Sequence, residues 1–133
     1  MKNLEAIEYW KEIAAYDLET AQAMLKTKRF LYVGFMCHQA IEKMLKGYYL
    51  FKTGESPPYS HNLTKIATMA TILQDFSNEQ KSVLDVLEPL NIETRYPSYK
   101  KQLLKSLTKE RCTEILDNTK RLFKWINQKL SQN

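Results

Sequence analysis

"FMCHQAIEKMLKGYYLFKTG", residues 35–54, is apolar around most of a helical circumference and yet carries a row of charges. Phe35, Cys37, Ala40, Ile41, Met44, Leu45 and Tyr48 leave little of such a helix for solvent. Side chains of that kind on every side need neighbours on every side, so the segment belongs at the centre of a bundle. His38, Glu42 and Lys46 recur at four-residue steps and stack along one face, with Gln39 and Lys43 beside them. The pattern predicts a helix over residues 29–52. Gly54 suits the left-handed position past its end, and Pro57-Pro58 cannot continue it.

Outward from this centre the helical period repeats. Leu4, Ile7, Ala14, Leu18, Ala21 and Leu25 form one stripe of a helix over residues 4–26, with Asn3 placed to cap it. Asn62 can cap a short helix over residues 63–73. Ser77 with Gln80 matches a capping box and opens a helix through Val83, Leu84, Leu87 and Leu90. That helix is expected to end near Thr94, because Tyr96 precedes Pro97 and the residue before a proline avoids helical geometry. A last helix over residues 108–130 carries Ile115, Leu116, Thr119, Leu122, Phe123, Ile126 and Leu130 on adjoining stripes.

The chain has 133 residues, 44% of them hydrophobic, enough to bury a core without disulfides or metals. Only 3 glycines and 4 prolines punctuate it, and no stretch alternates as strands do. The expected fold is all-α: an antiparallel bundle of four long helices plus one short helix, in a single domain over residues 1–133. Cys37 and Cys112 have no metal-like spacing and read as small buried hydrophobes in a reducing cytoplasm. No segment has the apolar length of a membrane span, and the charged start of the chain lacks the form of a signal peptide. A cytoplasmic protein without membrane contact is expected.

Charge is unevenly placed. Residues 1–94 hold 10 basic and 12 acidic side chains, whereas residues 95–133 hold 10 and 3, within a net charge of +5. The basic C-terminal third suits phosphates or an acidic partner, and equally a solvated lysine face. Glu42 before Lys46 is the favourable order for a helix ion pair, but such a pair contributes only roughly 0.3–0.5 kcal/mol when exposed. Stability is therefore a weak reason for the polar row. Glu42, Lys43 and Lys46 read instead as the lining of a groove for a phosphate, a partner helix or both, against the plain alternative of a solvated face.

The same groove would draw on "NIETRYPSYKKQ", residues 91–102, where the helical pattern breaks. Arg95 offers a planar fork of donors to a phosphate, or to Glu42 or Glu88 in a structural ion pair. Tyr96 and Tyr99 can stack on a base or cover a core edge. His61 lies at a loop-to-helix junction, where a local hydrogen bond is the common role. His38 with Glu42 is a thin basis for a metal, because a di-metal bundle needs Glu-x-x-His pairs and none occurs. No metal and no cofactor are expected.

Taken together these segments resemble the HEPN domain family (higher eukaryotes and prokaryotes nucleotide-binding domain). The resemblance runs through "YWKEIAAYDLETAQAML", "FMCHQAIEKMLKGYYLFKTG", "PPYSHNL" and "ETRYP", in that order. It implies an all-helical, cytoplasmic, homodimeric module, often paired with a minimal nucleotidyltransferase in systems that look like toxin–antitoxin pairs. By position, Glu42, Lys43 and Lys46 match the second-helix motif, His61 the junction, and Arg95, Tyr96 and Pro97 the late motif. Ribonuclease members carry an arginine followed by a histidine after four to six intervening residues, whereas "YPSYKKQ" follows Arg95 with no histidine downstream. The resemblance is thus to the branch without that motif. It implies a nucleotide-, RNA- or partner-binding module, with a metal-independent ribonuclease toxin using Arg95 and His61 as the alternative and a non-catalytic dimeric scaffold as a further one.

Overall fold

The apolar segment does become the middle of the molecule. The computed structural model describes residues 2–131, and six α-helices occur among them: α1 (Lys2–Lys26), α2 (Phe30–Thr53), α3 (Leu63–Met69), α4 (Asn78–Leu87), α5 (Pro97–Ser106) and α6 (Lys109–Leu130). α2 packs against α1, α3 and α6, and touches α4 and α5 as well. Its Ile41, Met44 and Leu45 are fully buried among Leu63 and Ile66 of α3, Leu84 and Leu87 of α4, and Leu116, Leu122 and Ile126 of α6. At Gly47 the approach of α1 is so close that a β-carbon would lie 3.1 Å from Trp10 Cβ.

The class is all-α, but the helices divide differently from the expectation of four long and one short. Three are long, α1, α2 and α6, and three are short. α4 stops at Leu87, and the chain passes through 3-10 turns at Glu88–Leu90 and Ile92–Thr94. Pro89 sits in the first of these, where its missing N–H ends the α-helical ladder. Tyr96-Pro97, read from sequence as a stop, is a start. Pro97 occupies the first turn of α5, where no intrahelical donor is required. α5 buries none of its side chains, so it has no apolar stripe for periodicity to detect. α3 is also shorter than expected, ending at Met69 before Thr71 turns to a positive φ of 60°.

Most of the punctuation behaves as the residue chemistry requires. Asn62 Oδ1 accepts the Lys65 N–H at 2.9 Å. Ser77 and Gln80 close a reciprocal capping box, at 3.1 and 2.9 Å. Thr108 Oγ1 accepts the Arg111 N–H at 3.1 Å, so Thr108 caps α6 rather than opening it. Gly54 takes φ 72°, the left-handed cap of α2. Asn3 is the exception: α1 begins before it, so it lies inside the helix. Leu4 of the expected stripe faces solvent.

Cys37 and Cys112 are free and buried. Burial pushes the Cys37 thiol up to about 12, against a smaller opposing hydrogen bond from Thr119. Among the described residues no helix is long and apolar enough to cross a membrane. With α2 as the centre and α5 as a surface helix, Leu45→Ala should lower the unfolding free energy by about 2–5 kcal/mol. Leu104→Ala on α5, 47% exposed, should change it by no more than about 0.5 kcal/mol. Urea denaturation of both variants reads the contrast, and equal losses would contradict this layout.

Candidate functional site

Two connections bring the polar residues together: the segment between α2 and α3, and the corner between α4 and α5. The first bends at Gly54-Glu55 and again at Tyr59, and His61 reaches the polar row of α2. His61 Nδ1 lies 3.0 Å from Glu42 Oε1. A carboxylate only accepts, so the Nδ1–H donates, and in the neutral ring Nε2 is left with its lone pair. Glu42 is only 4% exposed. Its other oxygen, Oε2, accepts from Lys46 Nζ at 3.0 Å, with Lys46 8% exposed.

Behind this group sits His38, fully buried between two acids. Its Nδ1 is 3.9 Å from Glu42 Oε1 and its Nε2 is 3.5 Å from Glu88 Oε2. Both distances are long for a hydrogen bond, and the His61 backbone is a further partner of the ring. Burial holds the His38 pKa below its ordinary 6.5, while Glu42 and Glu88 pull the other way. Glu88 in turn accepts the Leu63 N–H through Oε1 at 2.7 Å. One carboxylate thus ties down His61, and the other ties α4 to the start of α3.

In front of them opens a cleft of about 240 Å³ lined by His61, Asn62, Glu88, Asn91 and Arg95. The sequence-derived candidates therefore separate into two groups. His61 and Arg95 share the cleft. Glu42 and Lys46 are buried and paired with each other, and Lys43 forms an ion pair with Asp17 of α1; none of the three lines the cleft. Arg95 makes no ion pair among the described residues, with Glu42 or with Glu88. Its guanidinium lies 5.0 Å from the centre of the Tyr99 ring, a cation–π contact that fixes its position and leaves its charge unneutralised. Tyr99 is half-buried under it, and its hydroxyl reaches the Pro89 carbonyl at 3.5 Å. Tyr96 is 81% exposed.

Asn62 and Asn91 line the cleft without having been singled out for it, and the His61–Glu42 bond spans 19 residues that no local pattern connects. The signal available was indirect. A glutamate in an otherwise apolar helix requires donors, and His61 is one of few that a short connection can return to it.

Comparison with known proteins agrees with the helical layout. The sequence profile of the HEPN domain family matches residues 7–129. TT1696 from Thermus thermophilus superposes with a TM-score of 0.78 at 23% identity, over 92% of this chain and 97% of that one. ST0689, described as an archaeal HEPN homologue, superposes with a TM-score of 0.69 at 19% identity, over 93% and 97%. At these identities the two structures speak for the fold alone. No protein of curated function matches.

The buried histidine makes stability depend on pH. The unfolded chain takes up the His38 proton more readily than the folded one, so its contribution is complete above pH 6.5 and is lost as pH falls below that value. The urea midpoint should therefore fall between about pH 7 and about pH 5, and fall less in His38→Gln. Equal declines in the two proteins would contradict the assignment.

Proposed function

The chain belongs to the HEPN domain family, and we propose that within it this protein holds the phosphate of a nucleotide or RNA in the cleft between His61 and Arg95. One observation carries the reading: Arg95 stands at the cleft, exposed, against the Tyr99 ring and in no ion pair among the described residues. A guanidinium so placed presents forked donors to a phosphate at little cost in side-chain ordering. The neighbouring α5 adds Lys100, Lys101 and Lys105 and contains no acid, which raises the local concentration of polyanions. Glu88 also faces the cleft, but one of its oxygens is held by Leu63 N–H and the other is directed to His38. Glu42 and Lys46 act from behind, by holding His61. The same reading takes the protein as cytoplasmic and homodimeric, partnered by a minimal nucleotidyltransferase in a toxin–antitoxin-like pair, as the family resemblance implies.

The bond between His61 and buried Glu42 favours a second reading, metal-independent cleavage of RNA. With Nδ1–H committed to Glu42, Nε2 is the atom that could take the proton of a 2′-hydroxyl. The 2′ oxygen would then attack the adjacent phosphorus, Arg95 would stabilise the charge that develops there, and the departing 5′ oxygen would collect its proton from water.

One incubation tests both. The full chain, mixed with fluorescein-labelled single-stranded RNA in EDTA at low salt, should bind it, and Arg95→Ala should weaken binding at least about ten-fold with helicity unchanged. Unaltered affinity in that variant would reject the phosphate site. Gel analysis of the same mixtures decides the second reading: RNA cut by the wild type and intact with His61→Ala supports catalysis, and RNA intact throughout restricts the cleft to binding.

A further inference from the structure

Tyr59 stands two residues before His61 and is 97% exposed, the most open large apolar side chain among the described residues. Its ring meets the His61 imidazole edge-on, with centroids 5.9 Å apart and planes at 61°. Tyr96, directly after Arg95, is 81% exposed. Each of the two chain segments that form the cleft therefore carries an unburied aromatic ring next to its polar residue. A ring left in water forgoes the stabilisation that burial would give it; exposed tyrosines occur elsewhere on the surface too, at Tyr9 and Tyr16, but these two adjoin the residues that line the cleft.

We propose that Tyr59 is a stacking surface for an unpaired nucleobase, with Tyr96 receiving its neighbour along the strand. The ligand of the cleft is then a single strand of at least two nucleotides rather than a mononucleotide. This rests on the phosphate-binding reading of the same cleft and extends it from the phosphate to the bases. The arrangement matches what single strands require: an electropositive path for the backbone, with aromatic faces beside it that accept any base. Pro57-Pro58 limits the freedom of the segment that presents Tyr59, so less conformational entropy is lost when a base settles on the ring. Past Arg95, Lys101 and Lys105 are exposed four residues apart on α5, where they can meet the phosphates that follow.

The experiment uses the full chain and two labelled probes of equal length, decauridylate and an abasic ribose-phosphate strand, read by fluorescence anisotropy. Tyr59→Ala should weaken decauridylate binding about ten-fold, the loss of one stacked base. Tyr59→Phe should stay within about two-fold, since stacking needs the ring and not the hydroxyl. The abasic strand should bind the wild type and Tyr59→Ala equally. Because Tyr59 packs so little, far-UV circular dichroism should be the same for all three proteins. Decauridylate bound equally by the wild type and Tyr59→Ala would overturn the proposal, as would an equal loss on the abasic strand. In either case a continuing dependence on Arg95 leaves the phosphate reading standing. A wild type that binds neither strand removes both.

Discussion

A carboxylate buried in a bundle has to be met by donors from the elements around it, and Glu42 is met by Lys46 one turn along α2 and by His61 from the connection to α3. Removing His61 leaves Glu42 paired with Lys46 but strips one of its oxygens of a donor, whereas removing Lys46 takes away the cation that offsets its charge. The consequence is positional. The connection after α2 is not a loose crossing but a segment pinned to the central helix through a ring nitrogen. Glu88 performs the corresponding task from α4's end of the cleft, holding the first N–H of α3. His38 lies between the two acids, so the junction before α3 is held to α2 through Glu42 and to the end of α4 through Glu88.

The geometry recasts the role of the charged row. Glu42, Lys43 and Lys46 stack on the helix as their spacing requires, but the space above Glu42 and Lys46 is filled, and Lys43 is drawn to Asp17 of α1. Of the three, Glu42 alone touches His61, with Lys46 on its other oxygen. An arginine followed by a histidine within a few residues is absent along this chain, yet the fold brings Arg95 and His61 to one opening from different connections. Adjacency in space, not along the chain, is what a phosphate would sense.

What the residues disclosed before the fold, and what they withheld, follows from the range of each signal. Apolar period and caps are local, and they located α1, α2 and α6 to within two residues at each end, with Gly54, Asn62 and the Ser77–Gln80 box in their expected roles. α5 escaped because its lysines and partly exposed leucines form no buried stripe, and because Pro97 serves equally well as a breaker and as a first-turn residue. For the site, Arg95 and His61 could be nominated by residue chemistry. Their common cleft, and the bond from His61 to Glu42, depend on how two connections return to α2. No periodicity encodes that return, whereas the demand of a buried glutamate for donors points toward it.

In the function proposed above, His61, bonded to Glu42, and Arg95, set against Tyr99, act on one ligand in one cleft. The most direct measurement is a titration of the isotopically labelled full chain with inorganic phosphate, followed by the NMR signals of the His61 imidazole and the Arg95 side-chain N–H. Both should move together along saturation curves described by a single dissociation constant. Movement of one without the other, or of neither, would contradict the account.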